Sequence, residues 1–148
     1  MELATDWVVG FVDGEGCFHV SLNRHAEMTA GYQVLPEFVV VQHERDIQVL
    51  HSLREFFDCG SVRRNHGDRY CLRVRKLADL QGLCKFFDLH PLRTRKHSDF
   101  VKFQKIVGFI SDGRHLDREG LIEIVDLALA MNTTRRPVLS EIRKCLVG

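Results

Sequence analysis

Two carboxylates, Asp13 and Glu15, close the stretch WVVGFVDGEGCF (residues 7–18), at the far end of an apolar run that reads as a helix. Carboxylates can hold a cation, accept a hydrogen bond or move a proton, yet the C-terminal end of a helix is where the backbone dipole disfavours them. Gly10 and Gly14 interrupt the same run, each costing about 1 kcal/mol against alanine in a helix interior. A calcium loop does not explain DGEG, because the later oxygen ligands of such a loop are absent. A second source of chemistry is the basic block at residues 61–105, with 12 basic and 4 acidic side chains, net +8. Residues 1–60 carry 3 basic and 10 acidic side chains, net −7, and residues 106–148 carry six of each. Inside a chain of net charge +1, that block fits a nucleic-acid footprint and a solvated face equally.

Other chemistries find little support. The eight histidines show no HExxH spacing and no triad partner. The five cysteines, Cys17, Cys59, Cys71, Cys84 and Cys145, are odd in number, scattered and without a CxxC, so they read as buried thiols of a reducing compartment. No apolar run approaches the length of a membrane span. The start MELATD lacks the basic opening of a signal peptide and the Arg/Ser bias of a transit peptide. These features predict an intracellular protein that is not secreted, in a bacterial cytoplasm or an organelle matrix.

The elements that must position these residues follow from periodicity. Residues 5–14 form the first helix, with Thr5 or Asp6 as N-cap. Cys17–Arg24 alternates as a half-buried strand, and Tyr32–Gln42 is a second strand in which Pro36 predicts a bulge or an edge. Residues 44–58 place Ile47, Leu50, Leu53 and Phe57 at helical spacing, with Gly60 as the C-cap signal. GSVRRN and RYCLRVR flank His66-Gly67-Asp68 as a hairpin. Helices follow at 76–89 and 96–111, then at 119–131 and 137–147, the last two separated by NTTRRP. The order αββαββα predicts an α+β fold, an antiparallel sheet with helices on one face, plus C-terminal helices. With 148 residues the chain reads as one domain, its core at about 5–110 and a helical extension at about 111–148.

Helices on one face leave the other face of the sheet open. That face is expected to present His19, Ser21, Asn23, Gln33, Arg69, Arg73 and Arg75, with Cys71 on the same parity as the arginines. A merely solvated sheet more often carries Lys, Glu and Thr. Arg, Asn and Gln can fork onto base edges in a major groove, which favours double-stranded DNA as the partner.

VVGFVDGEG (8–16) closely resembles the signature of the LAGLIDADG homing endonucleases. The strand after it, QHERDIQVLHSLREFF, GSVRR and HPLRTRKHSDFVKF also resemble successive blocks of that family. The resemblance covers residues 5–110 well and the C-terminal helices loosely. It implies that motif helices of two subunits pack along a symmetry axis, where Gly10 and Gly14 let the backbones approach. Trp7, Phe11 and Asp13 would share that interface, Asp13 in a structural part at the helix end, capping across it. A single motif then implies a homodimer on a near-palindromic target.

The resemblance also assigns roles. Glu15 takes the place of the metal-binding carboxylate, joined by the carbonyl of Gly16, with Mg²⁺ or another divalent cation such as Mn²⁺ as cofactor. Gln42 matches the polar residue that helps position water. Lys96 is the choice for the basic residue near the scissile phosphate, with Arg93 and Arg95 as alternatives. Arg63, in GSVRR, joins the DNA-binding residues. The implied function is site-specific, metal-dependent cleavage of double-stranded DNA, an intron- or intein-homing activity with no small-molecule substrate and no membrane partner. The alternative is a non-cleaving nucleic-acid binder, an intron maturase or a transcription factor on the same scaffold.

Overall fold

The computed structural model describes residues 1–132 and 135–148. Thr133 and Thr134, within the NTTRRP break between the last two helices, lie outside the described residues. Helix α1 (Thr5–Glu15) buries Val8 and Val12, four apart on one face. Its N-cap is Ala4, which makes no side-chain cap bond. The expected caps Thr5 and Asp6 are already helical, and Asp6 serves the first turn through the dipole instead. The helix ends at Gly16, whose N–H returns to the Val12 carbonyl. A Cβ there would stand 2.8 Å from Val12 Cγ1 and 2.9 Å from Val12 O, so only glycine permits this turn from helix to strand.

Strands β1 (Gly16–Arg24), β2 (Tyr32–His43), β3 (Ser61–His66) and β4 (Arg69–Val74) form a sheet of order β1-β2-β4-β3. β4 is antiparallel to both its neighbours, with Val39 opposite Arg73 on one side and Ser61 opposite Arg73 on the other. Pro36 lies inside β2, an inner strand, without ending it. The ladder to β4 starts only at Phe38, so the proline, which has no N–H to give, falls beyond that pairing. The hairpin turns at Gly67 with φ 57°, as expected.

A short 3-10 turn (Glu44–Asp46) leads into α2 (Ile47–Phe57), followed after β4 by α3 (Leu77–Leu89). Asp58, at φ 53°, is the left-handed C-cap of α2, in place of the expected Gly60. Gly60 serves a different need. With φ 88°, its missing Cβ would meet Arg73 O and Val74 Cγ2 at 2.9 Å, so it lets the chain cross against β4. The remaining helices are α4 (Lys96–Ser111), α5 (Arg118–Leu129) and α6 (Pro137–Val147). The α+β class and the αββαββα order with C-terminal helices are those predicted.

The chain forms two compact units. The first comprises Met1–Phe18 and Glu37–His97. Its core is aromatic: Phe18 lies 5.3 Å from Phe38 and 5.8 Å from Phe87, and Phe57 lies 6.1 Å from both Phe38 and Phe87. These edge and tilted contacts seat α2 and α3 on one sheet face. The second comprises His19–Pro36 and Ser98–Gly148. There the apolar stripes of α4 (Phe100, Phe103, Ile106, Val107), α5 (Leu121, Ile124, Val125) and α6 (Leu139, Ile142, Leu146) are buried, as are Val20, Leu22, Tyr32 and Val34 of the strands. Buried Asp99 accepts from the N–H of Asn132 at 3.0 Å, and Arg136 donates to the Val20 carbonyl at 3.0 Å.

The five cysteines are free thiols. Burial, helped by Asp88, pushes Cys84 up to about 12, and burial with Asp79 and Asp58 nearby pushes Cys59 up to about 11. Both therefore stay protonated and unreactive near neutral pH. Cys145, by contrast, is exposed.

Candidate active site and nucleic-acid face

Glu15 is the last residue of α1 rather than the first beyond it, and it is exposed. Its carboxylate has no hydrogen-bond or ion-pair partner among the described residues. The last carbonyls of the helix gather at the same end, so an uncompensated negative charge sits on the negative pole of the helix dipole. An arrangement of oxygen donors with that charge fits a hard divalent cation. The described residues hold no group of three or more His, Cys, Asp or Glu able to ligate a metal.

Asp13 has a different occupation. Its carboxylate accepts the N–H of Arg93 at 2.8 Å, the N–H of Thr94 at 3.1 Å and the Thr94 hydroxyl. Burial pushes its pKa up, but the Thr94 hydroxyl, the two N–H groups and the nearby Lys96 charge outweigh this and hold it below the ordinary carboxylate value. The carboxylate thus caps a loop of its own chain, a structural part at the helix end.

That loop delivers Lys96. Thr94 Oγ1 also takes the N–H of Lys96 at 3.3 Å, and Lys96 Nζ donates to the Val12 carbonyl at 3.3 Å. Val12 O is the atom already holding the Gly16 N–H, so the ammonium is anchored to the turn that carries Glu15 and Gly16. Of the three basic candidates in RTRK, Lys96 is half-buried while Arg93 and Arg95 are exposed. Gln42 stands near the end of β2, on the parity of Phe38 and Val40, and donates to the Val41 carbonyl at 2.9 Å. β1 and β2 form a hairpin closed by His25 N–H to Gly31 O at 2.9 Å, so the start of β1 beside Glu15 runs along the end of β2 where Gln42 lies.

In the first unit, the open sheet face carries Arg63, Arg69 and Arg73, with Arg75 just past β4. Arg63 bonds Ser61 Oγ at 3.2 Å, and Arg69 lies 3.8 Å from Asp68. Cys71 shares their parity but is only 1% exposed, flanked in register by the larger Val41 and Arg63. One acid on this face was not among the residues expected there. Glu37 accepts from Arg75 Nε at 2.8 Å and lies 3.7 Å from Arg73 Nε. The signal was present, because Glu37 keeps the two-residue alternation with Gln33 along β2. In the second unit, His19, Ser21 and Gln33 are half-buried and Asn23 is exposed, alternating with the buried positions of β1 and β2.

The outer side of α1 carries Trp7, Gly10, Phe11 and Gly14, spaced to share one stripe. Trp7 is 45% exposed and stacks on Phe11 with centroids 4.8 Å apart. A Cβ on Gly10 or Gly14 would meet nothing within 4 Å. Nothing among the described residues requires those glycines.

Residues 8–107 match the LAGLIDADG endonuclease family. The chain belongs to that family. This LAGLIDADG chain is 53% identical to the homing endonuclease I-TnaI, whose crystal structure superposes with a TM-score of 0.96 over 99% of each chain. It is 28% identical to the LAGLIDADG homing endonuclease I-SmaMI bound to cleaved DNA, with a TM-score of 0.92 over 98% of this chain and 49% of that one. I-SmaMI has also been solved on an uncleaved DNA target in the presence of calcium ions. A probable intron-encoded endonuclease of Neurospora crassa shares 32% identity over 124 residues, 82% of this chain and 26% of the relative. The chain spans about a quarter of the length of three fungal relatives it matches, from Podospora anserina and Neurospora crassa. No helix among the described residues is long and apolar enough to cross a membrane.

Proposed function

We propose that this LAGLIDADG chain is a homodimeric, site-specific endonuclease that hydrolyses phosphodiester bonds in a long, near-palindromic DNA duplex. The observation that carries the reading is the end of α1: an exposed, unpartnered Glu15 on a turn to which Lys96 is tied through Val12 O. Glu15 and the Gly16 carbonyl are the metal donors, and magnesium or another divalent cation such as manganese is the cofactor. Divalent-metal dependence is general in the family. A bound divalent ion supplies polarisation of the scissile phosphate and a lower pKa for the attacking water. The chain's residues do the rest. Lys96 places a positive charge beside the phosphate, and Gln42 orients water.

The dimer reading has two supports. Trp7, Gly10 and Gly14 are exposed on the stripe they share with half-buried Phe11, and this chain matches about half of the longer I-SmaMI chain. A second copy packed on α1 brings the second Glu15 that one chain lacks. The residues proposed to contact DNA are His19, Ser21, Asn23, Gln33, Arg63, Arg69, Arg73 and Arg75. Kinship with intron-encoded endonucleases favours an intracellular protein encoded within an intron. Incubation with DNA carrying the uninterrupted insertion site of its own gene and Mg²⁺ should give one double-strand cut, abolished by chelation. Tight binding to that site with no cut under any divalent metal would leave a maturase or transcription factor in its place.

A further inference from the structure

A carboxylate in the middle of a surface built to meet a polyanion is costly unless it does something there. Glu37 holds this position on the open face of the first unit, one residue beyond the pair Phe38–Val74 and so opposite Arg75 across β2 and β4. A single oxygen, Oε2, serves both neighbours, at 2.8 Å from Arg75 Nε and 3.7 Å from Arg73 Nε. Arg73 Nε is buried and has no hydrogen-bond partner, so Glu37 is its compensating charge. Both arginines are approached at Nε, the inner nitrogen. The terminal nitrogens that fork onto guanine remain uncommitted among the described residues. Arg75 is 60% exposed at its side chain while Glu37 is 18% exposed, so the guanidinium stands outward of the acid. Both arginines, with Arg63, Lys76, Ser61 and Asp79, line a cavity of about 300 Å³.

We propose that Glu37 is a specificity-determining positioning residue. It holds Arg73 and Arg75 by their inner nitrogens, aims their terminal nitrogens at base edges, and repels phosphate backbone from the centre of the reading face. The proposal rests on the DNA-binding reading above. Its effects are opposite for the two kinds of contact: non-specific affinity falls, and discrimination at the bases under Arg73 and Arg75 rises.

Glu37→Gln keeps the shape and removes the charge. Selection from a random-sequence duplex library should show the variant losing preference at the symmetric pairs of positions under Arg73 and Arg75. Its binding to a fixed mixed-sequence duplex should tighten about three- to tenfold. In an Arg73→Ala/Arg75→Ala background, Glu37→Gln should no longer alter the selected sequence, which a merely structural role would not predict. A folded Glu37→Gln protein with unchanged preference and unchanged non-specific affinity overturns the proposal. Should that variant melt early, Arg75→Lys decides, because it keeps the charge but cannot fork. Retained preference in Arg75→Lys overturns the proposal as well. Wild-type protein that selects no sequence and binds no duplex removes the DNA-binding reading first, and this proposal with it.

Discussion

Glu15 and Asp13 are two residues apart and separated in role by what each touches. Glu15 is exposed and without a partner among the described residues, whereas Asp13 is consumed by the N–H groups and hydroxyl of the 93–94 loop. Glu15→Gln should therefore abolish Mg²⁺-dependent cleavage and leave target binding within about tenfold, because the loss falls on the transition state and not on groove contacts. Normal cutting by this variant removes Glu15 from the mechanism. Asp13 predicts a pH effect instead. Its depressed pKa means that its stabilisation is present above about pH 4 and is lost as pH falls through the lower folded-state value. Urea unfolding of wild type and Asp13→Asn should differ at pH 7, and the gap should narrow progressively as pH falls below about 4. A gap that stays constant as the pH is lowered would contradict the assigned bonds.

At the scale of the element, α1 has two faces with opposite requirements. Val8 and Val12 are fully buried, while Gly10 and Gly14 look onto open space. Within one chain a methyl at Gly10 is free of clashes, so Gly10→Ala should gain about 1 kcal/mol of helix propensity. In a dimer packed on that stripe, the larger Gly10→Leu should cost about 1–3 kcal/mol of association through overpacking. Sedimentation and thermal melting together check this, with the alanine variant holding or raising the melting temperature while the leucine variant dissociates at micromolar concentration. A wild-type monomer that still cuts would end the single-motif argument.

Across the whole molecule the net charge is +1, yet Arg63 of β3 and Arg69 and Arg73 of β4 gather on one face of the first unit. If Arg73 reads a base, Arg73→Ala should cost about 1–3 kcal/mol at one symmetric pair of target positions and relax the preference there. If it only meets a phosphate, affinity should fall evenly and the salt slope should shrink by about 0.9 for each phosphate no longer neutralised. Cleavage profiling on single-base target variants at two salt concentrations separates the two. Base reading is expected, because Arg73 sits inside β4 between Val39 and Ser61, where a sheet seated in a groove faces base edges.

Much of this was local and could be read from the chain alone. The period of two in residues 17–24 and 32–42, the helical spacing in 44–58 and the basic block set the element order, the buried faces and the arginines of the open sheet face. So did VVGFVDGEG, for the family. These patterns are legible because each element buries its own stripe and the repeat records it. What stayed hidden depended on partners far away in sequence. Asp13 meets Thr94 81 residues on, Lys96 reaches back 84 residues to Val12, and Arg75 finds Glu37 across 38. Asp58 displaces Gly60 as the helix cap because β4 needs the space beside Gly60. No local period carries such pairings. They exist only once the strands are in register and the loop before α4 has closed on the end of α1, so the tertiary structure alone decided which acid is spent on folding and which is left exposed without a partner among the described residues.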